Sequence, residues 1–335
     1  MNIIFVTFIF FLLSFVLTAA ARYLLLKLKI LDLPNDRGMH SSIVPRGGGL
    51  AILLSLLIFF LIKLNFSTEI ELYIFLIFYI LIFGFVGFLD DIYSISYKPR
   101  LLFQFACVIY LILISELVDI PRNTEVLFIS GFALKLLLVI FLVWFINLYN
   151  FMDGIDGLAT SQSICFFVCL AFLVSRYDYQ YPVGDFLIYA SIMCGFLLWN
   201  FHKAKIFLGD VGSSTLGILI GIYVFYFLDI DIRLFYASII LMAIFIVDSS
   251  YTLIMRIYRN QSFHSAHNSH AYQNFSRKLN SHSLVTSICI VINFCYLFPI
   301  ANLIFIYDID PIILLSCAYL PLLMGCIYLK AGIKI

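Results

Sequence analysis

Charge is what this chain has least of: Asp, Glu, Lys and Arg make up 12% of its 335 residues, against 64% apolar ones. A water-soluble fold of that length needs far more polar surface, so a soluble enzyme or binding module is excluded. The formal net charge is only +1, and no basic arm or block of like charges occurs, which excludes a nucleic-acid partner. The 8 cysteines all fall inside apolar runs, where Cys behaves as a small hydrophobe. They give neither a disulfide framework nor a thiolate metal site. Fixed-period repeats are also lacking, as is any polar stretch long enough for a soluble domain.

What is there is one apolar run after another. Runs of about 18–25 residues, the length that crosses the hydrocarbon of a bilayer, start near Ile3, Leu50, Glu71, Leu101, Phe132, Thr160, Asp185, Ser213, Ile232, Ser283 and Pro311. The expected fold is all-α: a polytopic integral membrane protein of about 10–11 transmembrane helices, forming a single domain over residues 1–335. The first run has no basic stretch before it and continues into Arg22, Lys27 and Lys29, so it is read as a retained membrane helix rather than a signal peptide. With the N-terminus outside, fifteen of the 20 Lys and Arg residues fall on one side, which the positive-inside rule makes cytoplasmic. Every loop with unusual chemistry lies on that same side, so an active site on the cytoplasmic face is expected.

Five stretches carry that chemistry. In the first, Arg37, His40 and Arg46 precede Gly47-Gly48-Gly49 and suit a phosphate, or else the anionic headgroups beside a basic loop. In the second, Asp90 and Asp91 end an apolar run, with Lys98 and Arg100 following. Adjacent carboxylates at the negative pole of a helix call for a bound cation or a proton-accepting role. In the third, Asn147, Asn150, Asp153 and Asp156 follow at three-residue steps, which on a helix puts all four polar heads on one face. Hard oxygen ligands of that kind suit Mg²⁺ carrying substrate phosphates; the plainer reading is a pair of solvated carboxylates at a helix end. The fourth places Asp210 between Gly209 and Gly212, with Ser213 or Ser214 as a helix cap and His202, Lys203 and Lys205 nearby, an anion site beside a metal-ligating carboxylate. The fifth spaces His264, His267 and His270 by three. On a helix these fan apart and no acidic partner is close, so imidazoles lining a phosphate or nucleotide fit better than zinc. Asp248, inside an apolar run, must face the interior, with Arg256 or water as its expected partner.

Taken together, Asp32-x-Pro34, Arg37-x-x-His40, Pro45-Arg46-Gly47-Gly48, Asp90-Asp91, Asn150-x-x-Asp153-Gly-x-Asp156-Gly157, Gly209-Asp210-x-Gly212-Ser213 and the late histidine loop resemble the polyprenyl-phosphate N-acetylhexosamine-1-phosphate transferases of glycosyltransferase family 4. The match spans nearly the whole chain in order. It implies transfer of a sugar 1-phosphate from a UDP-sugar to undecaprenyl phosphate, with release of UMP, using Mg²⁺ or Mn²⁺, at a bacterial inner membrane. By the same resemblance, Asp210 with Asp153 is the metal side and Asp90, Asp91, Asp153 and Asp156 are the catalytic carboxylates. Arg37, His40, Arg46, Lys98, Asn150, Lys205, His264, His267 and His270 then bind substrate. The muramyl-pentapeptide branch carries an HHHxE-like sequence where this chain has Ala266-His267-Asn268-Ser269-His270-Ala271-Tyr272-Gln273, so the resemblance is to the branch that initiates O-antigen or related surface glycans. The donor is expected to be UDP-N-acetylglucosamine, UDP-N-acetylfucosamine or UDP-N-acetylquinovosamine: the small side chains of the run from Ala266 to Gln273, with Tyr272 and Gln273, suit an N-acetylated sugar, and a pocket lined by its alanines suits a 6-deoxy one. Direct attack is expected, with Asp90 or Asp91 removing the acceptor proton, against a covalent phosphosugar on an aspartate. A homodimer in the bilayer is carried as a further partner, and an ion-coupled secondary transporter is the alternative function.

Overall fold

The computed structural model describes residues 2–32, 43–67, 69–114, 131–177, 183–261, 267–307 and 309–333. Arg37, His40 and His264 lie outside them. In chain order come α1 (Ile3–Leu28), a two-stranded antiparallel pairing of β1 (Leu31–Asp32) with β2 (Val44–Pro45), α2 (Gly49–Lys63), α3 (Ile70–Tyr93) and α4 (Tyr97–Ile109), which runs into a π-turn at Tyr110–Ile114. Then follow α5 (Gly131–Phe151), α6 (Leu158–Arg176), α7 (Val183–Asn200), α8 (Gly209–Ile230), α9 (Ile232–Leu241), α10 (Ala243–Tyr258) and α11 (Ala271–Leu279). α12 (His282–Ile292), a π-turn at Asn293–Leu297, α13 (Phe298–Ile306) and α14 (Pro311–Tyr328) complete the chain.

The near-exclusive use of helix follows from the medium, because in hydrocarbon every backbone N–H and C=O must be satisfied within its own segment. Among the described residues 8 helical spans are long and apolar enough to cross a membrane, and 9 if α9 and α10, which meet at a 66° bend, count as one. The other two expected runs are helical but shorter: α2 has 15 residues and α4 has 13 before its π-turn. At the α9–α10 break, Gln162 of α6 donates through Nε2 to the Leu241 carbonyl at 2.8 Å, replacing a bond the bend removes.

α8 is the hub. Of its apolar window 83% is buried, against 17% for α1 and α14, which turn large side chains such as Phe5, Phe8 and Ile313 outward as lipid-facing helices do. Lipid supplies no hydrophobic drive between helices, so close approach depends on small residues. A Cβ on Gly49 would collide with the backbone of Gly212, and one on Gly87 with the backbone of Asp210, so α2 and α3 pack directly onto the start of α8. At the other end of this group, Lys63 Nζ lies 3.0 Å from Asp185 Oδ1 and the Tyr73 hydroxyl donates to the same carboxylate, joining α2, α3 and α7.

Candidate active site

The close crossings just described bring the C-terminus of α3, the N-terminus of α8 and the residues before α2 to one place. Phe207 N donates to Pro45 O at 2.9 Å, Gly48 N to Phe207 O at 2.8 Å and Gly49 N to Leu208 O at 2.8 Å, so the Pro45–Gly49 segment is laced to the lead-in of α8. Gly209 there has φ +76°, a left-handed conformation that a β-carbon disfavours.

Around this junction stand four carboxylates and two guanidinium groups. Asp91 is buried and accepts from Asp210 N at 2.9 Å and Val211 N at 3.0 Å. It therefore occupies the positive pole of α8, which was expected to be capped by Ser213 or Ser214 and to hold a phosphate. Arg46 bridges two aspartates, with Nε 2.6 Å from Asp91 Oδ1 and Nη2 2.8 Å from Asp210 Oδ2. Burial alone would weaken its charge, but Asp210, Asp91, Asp32 and Asp90 outweigh that and hold the guanidinium more firmly protonated than usual. Arg100, in the first turn of α4, donates to Asp90 and lies 3.8 Å from Asp210. Asn150 donates through Nδ2 to Asp210 and to Ser213 Oγ, the latter at 3.0 Å.

The shared helical face expected for Asn147, Asn150, Asp153 and Asp156 is not formed, because α5 ends at Phe151 and the two aspartates fall in the turn beyond it. Asn147 instead donates to Gln104 Oε1 at 2.6 Å, tying α5 to α4. Asp156 accepts from Ala204 N at 3.1 Å and lies 3.5 Å from His282 Nδ1, while its carbonyl accepts from Thr286 at 2.9 Å, so it pins three segments together. Asp153 is different: no donor reaches its carboxylate among the described residues. Burial and the neighbouring Asp210 carboxylate push it well above the usual carboxylate range, against the pull of Arg46.

The histidine stretch packs onto that turn. Tyr272 donates to Phe151 O at 2.9 Å and its hydroxyl lies where a Cβ on Gly154 would be. His267–Ser269 are not helical, so the fan expected of a helix does not arise, and the His267 and His270 rings stack with centroids 4.8 Å apart. His270 is buried, its Nδ1 3.3 Å from Asp248 Oδ1. Asp248 also accepts from Ala271 N at 2.9 Å, Tyr272 N at 2.9 Å and Thr252 Oγ1 at 3.0 Å; these, and not Arg256, are its partners. His270 thus holds α11 in place, and Ala271, Tyr272 and Gln273 are buried beside it, Gln273 accepting from His270 N at 3.1 Å; Ala266 lies outside the described residues.

Lys98 and Lys205 are exposed and make no ion pair among the described residues; Lys205 sits 5.6 Å from the Trp199 ring centroid. Arg100 was not among the expected site residues. Its signal was present: Pro99 marks the start of α4 and so places Arg100 within its first turn, one loop after Asp90.

A divalent cation fits this arrangement. No group of three or more His, Cys, Asp and Glu side chains forms a metal cage among the described residues. Mg²⁺ does not need one, since it is commonly held by one or two carboxylates together with substrate phosphates. Asp153, which no described donor reaches, and the neighbouring Asp210, held ionised by Arg46 and Arg100, are two carboxylates of the kind Mg²⁺ uses.

Comparison with known proteins bears on the same residues. The model of glycosyl transferase family 4 matches residues 73–228, a span that holds Asp90, Asp91, Asn150, Asp153, Asp156 and Asp210. The chain is 30% identical over 288 residues to a probable undecaprenyl-phosphate N-acetylglucosaminyl 1-phosphate transferase of Bacillus subtilis, covering 84% of this chain and 79% of that one. It is 29% identical over 294 residues to an undecaprenyl-phosphate α-N-acetylglucosaminyl 1-phosphate transferase of Thermotoga maritima, covering 87% of each. A phospho-N-acetylmuramoyl-pentapeptide-transferase of Staphylococcus carnosus is 32% identical, but over 53% of this chain and 61% of its own. A multi-pass, all-helical chain that meets these relatives over most of its length is a member of glycosyl transferase family 4.

Proposed function

We propose that the protein transfers N-acetylglucosamine 1-phosphate from UDP-N-acetylglucosamine to undecaprenyl phosphate, giving the undecaprenyl diphospho-sugar and UMP. The observation that carries this is the charge arrangement at the start of α8: four carboxylates and two arginines gathered at the end of apolar helices. Two anionic substrates must meet there, one of them embedded in lipid, so positioning and neutralisation supply most of the rate. The donor is taken from the relatives' activity, which supports N-acetylglucosamine ahead of the 6-deoxy sugars.

In this reading an acceptor phosphate oxygen attacks the β-phosphorus of the donor, the bond to the bridging oxygen breaks, and UMP leaves with that oxygen. Asp90 removes the remaining acceptor proton. It is the better base of the pair because Asp91 is committed to two backbone amides and to Arg46. Arg46 and Arg100 balance the charge that builds on the transferred phosphoryl group. Asp210 and Asp153 would hold Mg²⁺ or Mn²⁺, whose chemistry is to neutralise the donor diphosphate and polarise its P–O bonds. His267, half-buried and stacked on His270, is assigned to the donor diphosphate. The site opens on the cytoplasmic face of a bacterial inner membrane, supported by the sidedness of Lys and Arg, and the product starts a surface glycan.

The test is UMP release by purified protein given undecaprenyl phosphate and, separately, UDP-N-acetylglucosamine, UDP-N-acetylgalactosamine, UDP-N-acetylfucosamine, UDP-N-acetylquinovosamine or UDP-muramyl-pentapeptide. UDP-N-acetylglucosamine should be the best donor. Turnover with the muramyl-pentapeptide alone would overturn the donor assignment, and turnover with none would return the protein to the transporter reading.

A further inference from the structure

Where α11 ends against α14 there is a cavity of about 560 Å³, lined by Asn274, Arg277, Lys278, Tyr328, Leu329 and Lys330. None of these residues belongs to the carboxylate cluster. Among the described residues the lining has three cations and no carboxylate. Two of the cations are held in place: Arg277 donates through Nη2 to Asn268 O at 2.7 Å, and Lys278 Nζ donates to the Tyr328 hydroxyl at 3.0 Å while lying 4.5 Å from its ring centroid. Lys330 is exposed. The C-terminal carbonyls of a helix would ordinarily repel an anion at such a place. Here Asn274 Nδ2 covers the carbonyl of the capping residue Leu329 at 2.9 Å and, in the segment beyond α14, those of Lys330 at 3.1 Å and Ile333 at 2.8 Å. Tyr328 is the last residue of an apolar span, which puts the cavity at the depth where aromatic rings meet lipid headgroups.

We propose that this cavity binds the phosphate of an anionic phospholipid headgroup, with Lys278 and Lys330 as the charges that select it. Basic pockets at the ends of membrane helices take such headgroups, because clustered Lys and Arg side chains next to a bilayer attract anionic lipid. The site lies on the helix that also carries the Tyr272 bond to Phe151, so an occupied cavity anchors α11 to the bilayer surface beside the Asp153 turn. This does not depend on the reaction proposed above.

Native mass spectrometry of the detergent-purified full chain tests it, with phosphatidylglycerol, phosphatidylcholine and inorganic phosphate as separate probes. Phosphatidylglycerol should be retained in preference to phosphatidylcholine. Lys278→Gln/Lys330→Gln should weaken it by about 30-fold, the worth of two lysines close to a lipid surface. Lys330→Gln alone alters an exposed side chain and should give part of the same loss without any change in melting temperature. Equal retention of the two lipids, unchanged phosphatidylglycerol binding in both variants, or inorganic phosphate binding as tightly as the lipid would each overturn the headgroup assignment.

Discussion

Two helices of this protein begin on a carboxylate borrowed from another helix: α8 takes Asp91 from α3, and α11 takes Asp248 from α10. In both cases the carboxylate accepts from two consecutive backbone amides at 2.9–3.0 Å, satisfying donors that a helix start leaves unpaired. The surroundings differ. Asp248 meets an imidazole and a hydroxyl, and among the described residues no second carboxylate touches it. Asp91 shares Arg46 with Asp210, while Asp90 and Asp153 stand close by, so the charge there is not closed. A buried carboxylate in an apolar run is therefore not a sign of chemistry in itself; residual charge around it is.

If that distinction is right, substitutions should separate turnover from stability. The largest effect belongs to Asp210→Asn, which keeps the shape but removes charge from the open cluster. UMP release should fall by about 10²–10³-fold, the usual worth of one preorganised electrostatic group, with the melting temperature retained. Full turnover would erase the comparison. Asp91→Asn should lose on both counts, dropping turnover by more than about tenfold and stability by about 1–3 kcal/mol, since one amide of α8 is left without an acceptor. Asp248→Asn should cost a similar amount of stability, read by thermal melting in detergent, yet leave turnover per folded molecule within about tenfold of wild type. An Asp248→Asn protein that melts normally but is inactive would move Asp248 to the catalytic side.

A smaller effect concerns pH. Burial, with His270 and Arg256 nearby, holds the His267 imidazole down at about 3. The unfolded chain takes up that proton near pH 6.5, roughly the unperturbed value, whereas the folded protein does not until far lower. The unfolded state thus binds more protons across this window, and folding stability falls as pH drops from about 7 towards 3. His267→Gln should flatten the acid side of a melting-temperature profile, and an unchanged profile would show that the imidazole is not held neutral.

The membrane helices were legible in the sequence because a bilayer demands long apolar runs, and each expected run is helical where it is described. The grouping of Asp90, Asp91, Asn150, Asp153 and Asp210 was legible for a related reason: polar residues are too few in such a chain to be scattered idly. Long-range, short-segment features were not. Asp91 and Asp210 are 119 residues apart, so nothing local announces that one caps the helix of the other. The three-residue spacing from Asn147 to Asp156 was a helical argument applied past the end of the helix, which stops where Tyr272 takes the Phe151 carbonyl. Asp248 was assigned Arg256 or water from its place on one helix, whereas its partners are Thr252 one turn on and His270, Ala271 and Tyr272 at the start of α11.

The central claim is that the open carboxylate cluster works with a divalent cation to move a sugar phosphate. The most direct measurement is UMP release from UDP-N-acetylglucosamine and undecaprenyl phosphate by wild-type protein, first in EDTA and then with Mg²⁺ or Mn²⁺ added back. No UMP should form in EDTA, and release should recover on adding the metal; release at an undiminished rate in EDTA would exclude a metal-dependent cluster.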